Sequence, residues 1–142
     1  MKYLFEWTRA ISVGDETIDK QHQKLLNELN ILLSNLFADS SDKIINEAVS
    51  FLSEYIDDHL AYEEKYMKEY KYPEIDFHTS LHRGFIDQYK VFKKRLADGA
   101  PKKELILEIE EYIGSWWIHH ISVEDKKYAV FIQQREKKHS KF

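Results

Sequence analysis

Through most of the chain, apolar residues recur every three or four positions. From Asp15 or Thr17 to Phe37 they fall at Ile18, Leu25, Leu26, Leu29, Leu32, Leu33 and Leu36, a spacing that places them on one face of an α-helix. The polar cluster ADSSD (38–42) ends this run and offers N-caps to the next. A second helix is predicted from about Asp42 to Glu69 or Tyr70, with Ile45, Val49, Leu52, Ile56, Leu60 and Met67 on one stripe. Pro73 separates it from a third, over about 74–97, which stops at the turn of 98–100. Pro101 suits the first turn of a fourth helix, where its missing N–H would be unpaired anyway. Residues 1–14 show no helical period and read as an extended arm, with Phe5, Trp7 and Ile11 as anchors. Helices of this length span ~30 Å or more, and short connections make neighbours antiparallel. The expectation is an all-α, single-domain chain (1–142): an up-down-up-down four-helix bundle over about 15–133, the N-terminal arm, and a basic, fraying tail over 134–142.

Composition narrows the partners. There is no cysteine, which excludes disulfides, Fe–S clusters, thiolate zinc sites and covalent haem attachment. A net charge of −4 argues against nucleic acid or an anionic membrane surface. The opening MKYLFEWTRA lacks the apolar run of a signal peptide. No segment approaches the ~20 apolar residues of a membrane span. A soluble, cytoplasmic monomer is expected.

The chemistry lies in the histidines. Five of the seven fall into a pattern with two acids: His22, then His59 with Glu63, then His78 with His82, then His120 with Asp125. Residues four apart on a helix share a face, so the second and third pairs can each aim two donors at one cavity. Either pair alone reads as a surface ion pair or a coincidence. With a histidine on each of the four helices, the set reads as a dinuclear metal site in the bundle core. Imidazoles with two carboxylates suit first-row transition ions better than Ca²⁺ or Mg²⁺. The fourth pair departs from this spacing, because five residues turn an α-helix by about 140°. A π turn could reconcile the two, or a break in the helix. Ser122-Val-Glu-Asp125 resembles a capping box and favours the break, with Asp125 as a mere cap being the plain alternative. His119 lies ~100° round the helix from His120, away from the site.

The segments EWTRAISVGDETIDKQHQKLL, HLAYEE, HTSLHRGF and WWIHHISVEDKKYA resemble the hemerythrin-like proteins, and most of all the single-domain bacterial hemerythrins, from about Trp7 to Tyr128. The resemblance implies two iron ions (Fe²⁺/Fe³⁺) with an oxo or hydroxo bridge. His78, His82 and His120 would hold one iron, His22 and His59 the other, with Glu63 and Asp125 bridging. It implies reversible O₂ binding at the open position of the two-His iron, end-on as hydroperoxide. Such a site carries the same net charge before and after O₂ binds, which favours reversal, since changing a buried charge is costly. Phe85, Trp116, Trp117 and Ile121 are expected to wall this pocket, although ordinary core packing explains them too. Tyr128, three after Asp125, reads first as packing, with an outer contact to the metal site as the alternative.

Other functions fit less well. Ferritin-like oxidases and iron stores use mostly carboxylates with Glu-x-x-His motifs, the inverse of this donor ratio. A sensor or scavenger of O₂ or NO uses the same domain, usually joined to signalling domains. A structural zinc or iron site would need a closed set of ligands. No substrate-activating base or nucleophile is evident, so a non-enzyme is expected.

Overall fold

The computed structural model describes the backbone of residues 5–140 and the side chains of residues 5–136. Three uninterrupted helices, α1 (Glu16–Phe37), α2 (Asp42–Glu69) and α3 (Ile75–Ala97), precede a longer segmented one. The latter, α4 (102–140), has α-helical stretches Lys102–Glu108, Gly114–His119 and Lys126–Ser140, joined by π turns at Ile109–Ile113 and His120–Asp125. There is no strand among the described residues. Each of α1 and α3 packs against both α2 and α4, as the four corners of an antiparallel bundle require. The predicted boundaries hold within a residue or two, except that the helix continues to Ser140, through most of the stretch read as a fraying tail.

Local chemistry accounts for the starts. The Asp15 carboxylate accepts the Ile18 N–H at 3.1 Å and caps α1, and Ser41 Oγ does the same for Ile44 at 3.3 Å in α2. Every residue of the two predicted apolar stripes is buried, and the leucines of α1 form the centre of the core. The arm is irregular apart from a 3₁₀ turn at Arg9–Ile11, and Phe5, Trp7 and Ile11 do pack on the core. Its beginning is clamped by the Asn30 side chain, which accepts the Phe5 N–H and donates to the Phe5 carbonyl, both at 2.8 Å. The Phe5 ring lies over Gly114 so closely that a Cβ there would collide with it. The first π turn, at Ile109–Ile113, was not expected from the sequence. It leaves Ile109, Ile113, Gly114 and Trp117 buried together.

Three helix ends share one device. Asp39 (φ 53°), Lys71 (φ 55°) and Gly99 (φ 82°) adopt the left-handed conformation. The next N–H then reaches back to an orphan carbonyl: Ser40 to Asn35, Tyr72 to Met67 and Ala100 to Arg95. Only Gly99 does so without steric cost, which for other residues is ~1–2 kcal/mol. Lys71→Gly removes that cost but adds ~0.5–1 kcal/mol of chain entropy in the unfolded state. A net gain of about 0.5 kcal/mol is therefore expected, read as a slightly higher melting temperature. A lower one would show that the Lys71 side chain contributes more than its backbone strain costs.

Candidate metal centre

All seven residues singled out by pattern come together at one buried point between the helices. His22 comes from α1, His59 and Glu63 from α2, His78 and His82 from α3, and His120 and Asp125 from α4. Their exposures are 0–2%. Donor atoms divide into two groups that share both acids: His78, His82 and His120 with Glu63 and Asp125, and His22 and His59 with the same pair. The carboxylate oxygens divide likewise. Asp125 Oδ1 lies 3.1 Å from His78 Nε2 and 3.0 Å from His120 Nε2, while Oδ2 lies 2.9 Å from His22 Nε2. Glu63 Oε1 is 3.2 Å from His82 Nε2, and its Oε2 is 3.6 Å from His59 Nε2 and 3.8 Å from His22 Nε2. Each acid thus turns one oxygen to each histidine group, as a carboxylate bridging two ions would.

The hydrogen-bond accounting tests the fit. His22 Nε2, His59 Nε2, His78 Nε2, Glu63 Oε1 and both Asp125 oxygens are buried with no hydrogen-bond partner. His82 and His120 face each other Nε2 to Nε2 at 3.1 Å. Unpaired buried polar atoms cost ~1–3 kcal/mol each, more when charged, and the two facing imidazole nitrogens pair only when one of them holds a proton. Two multivalent cations satisfy both conditions at once, and five imidazoles with two carboxylates are a donor set for first-row transition ions.

The five-residue step to Asp125 is made by a π turn, not by the break expected from the capping-box pattern. Backbone angles at His120 (φ −60°, ψ −46°) and Lys126 (φ −62°, ψ −38°) remain helical. Ser122 does not cap: its Oγ turns back to the Ile118 carbonyl at 2.7 Å. An i→i+5 turn brings residues five apart towards one face, so Asp125 reaches the cavity without ending the helix. The energetic demand to pair Asp125 outweighs the weak local preference of a cap box.

Further contacts reach the cluster from outside. His59 Nδ1 meets Gln21 Oε1 at 2.7 Å, and His82 Nδ1 meets Glu64 Oε2 at 3.2 Å. Tyr128 packs edge-on against His78 and donates its hydroxyl to Glu63 Oε2 at 2.9 Å, so it both packs and makes the outer contact that was the alternative to packing alone. Burial, with Glu63 and Asp125 nearby, pushes the Tyr128 phenol well above its usual range and keeps it a donor. Trp116 stacks on His120 with ring centroids 4.4 Å apart and planes 11° apart. Trp117 stands edge-on to His120 and 6.0 Å from His59, and Phe85 contacts both tryptophans. Phe85, Trp117 and Ile121 are buried, and Trp116 is half-buried. His119 is exposed, as expected, and the His139 side chain lies outside the described residues.

A sequence profile described as the hemerythrin HHE cation binding domain matches residues 13–132. The chain belongs to the hemerythrin family. A bacteriohemerythrin of Clostridium acetobutylicum is 29% identical over 129 residues, covering 88% of this chain and 98% of that protein. One from Stenotrophomonas maltophilia is 27% identical over 129 residues, covering 89% and 80%. A myohemerythrin of Theromyzon tessulatum is 27% identical over 124 residues, covering 87% and 90%. Membership brings with it a family of non-haem O₂-binding proteins and implies a diiron centre, which the hemerythrin cluster of buried His, Glu and Asp is able to hold. No helix among the described residues is long and apolar enough to cross a membrane.

In the metal-free protein, protons must stand in for ions. Burial alone would lower His22 and His120, but Asp125 and Glu63 beside them outweigh it and raise them to about 9 and about 10. Burial wins at His59, which falls to about 4. Burial would likewise raise both acids, yet the surrounding histidines hold Glu63 and Asp125 well below the usual carboxylate range. The raised histidines contribute stability that is full below the unfolded value of 6.5 and lost as pH climbs through about 9 and about 10. His59 acts oppositely, costing stability below 6.5. The melting temperature of the metal-free protein should therefore fall steadily on the alkaline side, and that of the loaded protein should not. A flat metal-free profile over that range would contradict the charge pairing.

Proposed function

We propose that the chain binds O₂ reversibly at a pair of irons and is a carrier, store or deliverer of O₂, not an enzyme. The observation that supports this most is the sharing of Glu63 and Asp125 between a three-histidine and a two-histidine group. In this reading His78, His82 and His120 hold one iron and His22 and His59 the other. An iron with fewer protein donors has room for an external ligand, whereas a structural site would have a closed set. Two reduced irons supply the electrons that O₂ accepts on binding and returns on release.

The chain's own residues make that exchange reversible. Glu63 and Asp125 hold the two positions at a fixed separation, and Tyr128 fixes the orientation of Glu63 through its hydroxyl. Phe85, Trp116, Trp117 and Ile121 keep water and stray protons out, so that O₂ leaves as O₂ and does not escape as a reduced species. The four wall residues carry no general base or nucleophile, which favours O₂ binding over turnover of an organic substrate. The decisive experiment is optical: the reduced protein should change its visible spectrum on exposure to air and recover fully under vacuum. Irreversible bleaching after one exposure would remove the carrier reading.

The wall can be tested separately from the core. Trp117→Phe and Ile121→Ala should shorten the lifetime of the O₂-bound state, about tenfold if the barrier to its decay falls by only ~1.4 kcal/mol. Truncation also leaves a cavity and costs stability, so only variants with full iron content and a cooperative melt count. If these keep the parental lifetime, Trp117 and Ile121 do no more than pack.

A further inference from the structure

Each ion position has one histidine whose outer nitrogen is hydrogen-bonded, and the two partners differ in charge. On the two-histidine side, His59 Nδ1 meets the neutral side-chain oxygen of Gln21 at 2.7 Å. On the three-histidine side, His82 Nδ1 meets a carboxylate oxygen of Glu64 at 3.2 Å. The outer nitrogens of His22 and His78 are buried without a partner, so nothing equivalent balances the difference from there. Both contacts require the Nδ1 to carry the proton, which leaves each Nε2 lone pair facing the cluster. Glu64 belongs to neither group of donor atoms, and the Gln21 side-chain oxygen is turned to the outer nitrogen of His59.

The Gln21 contact is held in place from two directions. Its main-chain carbonyl accepts the Tyr55 hydroxyl at 3.1 Å while its side chain serves His59, so two residues of α2 fix this one residue of α1. Glu64 follows Glu63 directly on α2 and reaches across to α3, with 38% of its side chain exposed. A carboxylate accepting from the outer N–H of an imidazole makes the other nitrogen a stronger donor, and an amide oxygen does so less.

We propose that Gln21 and Glu64 are positioning residues that make the two ion sites unequal: Glu64 strengthens donation by His82 at the three-histidine position, and Gln21 holds His59 in place while leaving its donation weak. The inequality reinforces the one already set by histidine count. It favours the higher oxidation state and tighter holding at the three-histidine position, and it leaves the two-histidine position the more electron-poor of the two. This rests on the two-ion reading above.

The test exchanges the partners in the full-length protein loaded with Co²⁺, whose visible bands report each ion as a strong chelator removes it. The parent should lose its ions in a fast and a slow phase. Glu64→Gln should speed the slow phase about tenfold, the lower end of what outer partners of metal ligands contribute, and leave the fast phase alone. Gln21→Glu should slow the fast phase by a similar factor, whereas Gln21→Leu should speed it. Slowing on Gln21→Glu is the informative result, because a residue that merely packs can only lose by substitution. The proposal is overturned if Gln21→Glu accelerates release or leaves it unchanged, or if Glu64→Gln spares the slow phase. A parent that takes up fewer than two Co²⁺ per chain would instead remove the two-ion reading itself, and this inference with it.

Discussion

Seven polar side chains packed into the middle of a helical bundle set the terms for everything else in this molecule. Burying a carboxylate without a counter-charge is costly, and Glu63 and Asp125 are both fully enclosed. Glu63 Oε1 and both Asp125 oxygens face imidazole nitrogens without forming hydrogen bonds. That arrangement is stable only with positive charge inside it. In the metal-free protein histidinium supplies it, which is why His22 and His120 are driven upward in pKa. Metal ions supply it better, because each can be approached by several donors at once.

The bundle exists around this demand. The leucines of α1 and the α2 stripe from Ile45 to Leu60 form an apolar core at one end, and a smaller cluster including Met67, Tyr72, Tyr128 and Ile132 lies beyond the site. The polar centre is thus clamped between two dry regions. The π turn at His120–Asp125 is the local cost of bringing the last acid inward. Outer contacts from Gln21, Glu64 and Tyr128 then orient the donors. Trp116, stacked on His120, and Trp117, edge-on to it, close one side.

Much of this was legible in the residues themselves, for physical reasons. Helix spacing is a strong signal, so the stripes from Ile18 to Leu36 and from Ile45 to Met67 located their helices and the buried faces. The His59–Glu63 and His78–His82 pairs were legible because four residues span one turn. Asp125 exposed the limit of that logic. Its five-residue offset called for an irregularity, but the local pattern at Ser122 pointed to a break where the structure has a π turn. Gln21 and Glu64 carried no signal. Each adjoins a residue of the cluster in sequence, and its role arises from contact across helices, to His59 and His82. The π turn at Ile109–Ile113 was equally silent; it ends at Gly114, which lies against the Phe5 ring of the arm, a contact between residues far apart in sequence.

Glu63 and Asp125 are proposed to bridge two ions in one cavity. Mössbauer spectra and magnetic susceptibility of the air-oxidised, iron-loaded protein test it most directly. The account predicts two irons per chain with antiferromagnetically coupled spins, as bridged ferric ions show. One iron per chain, or two irons whose moments are independent, would contradict it.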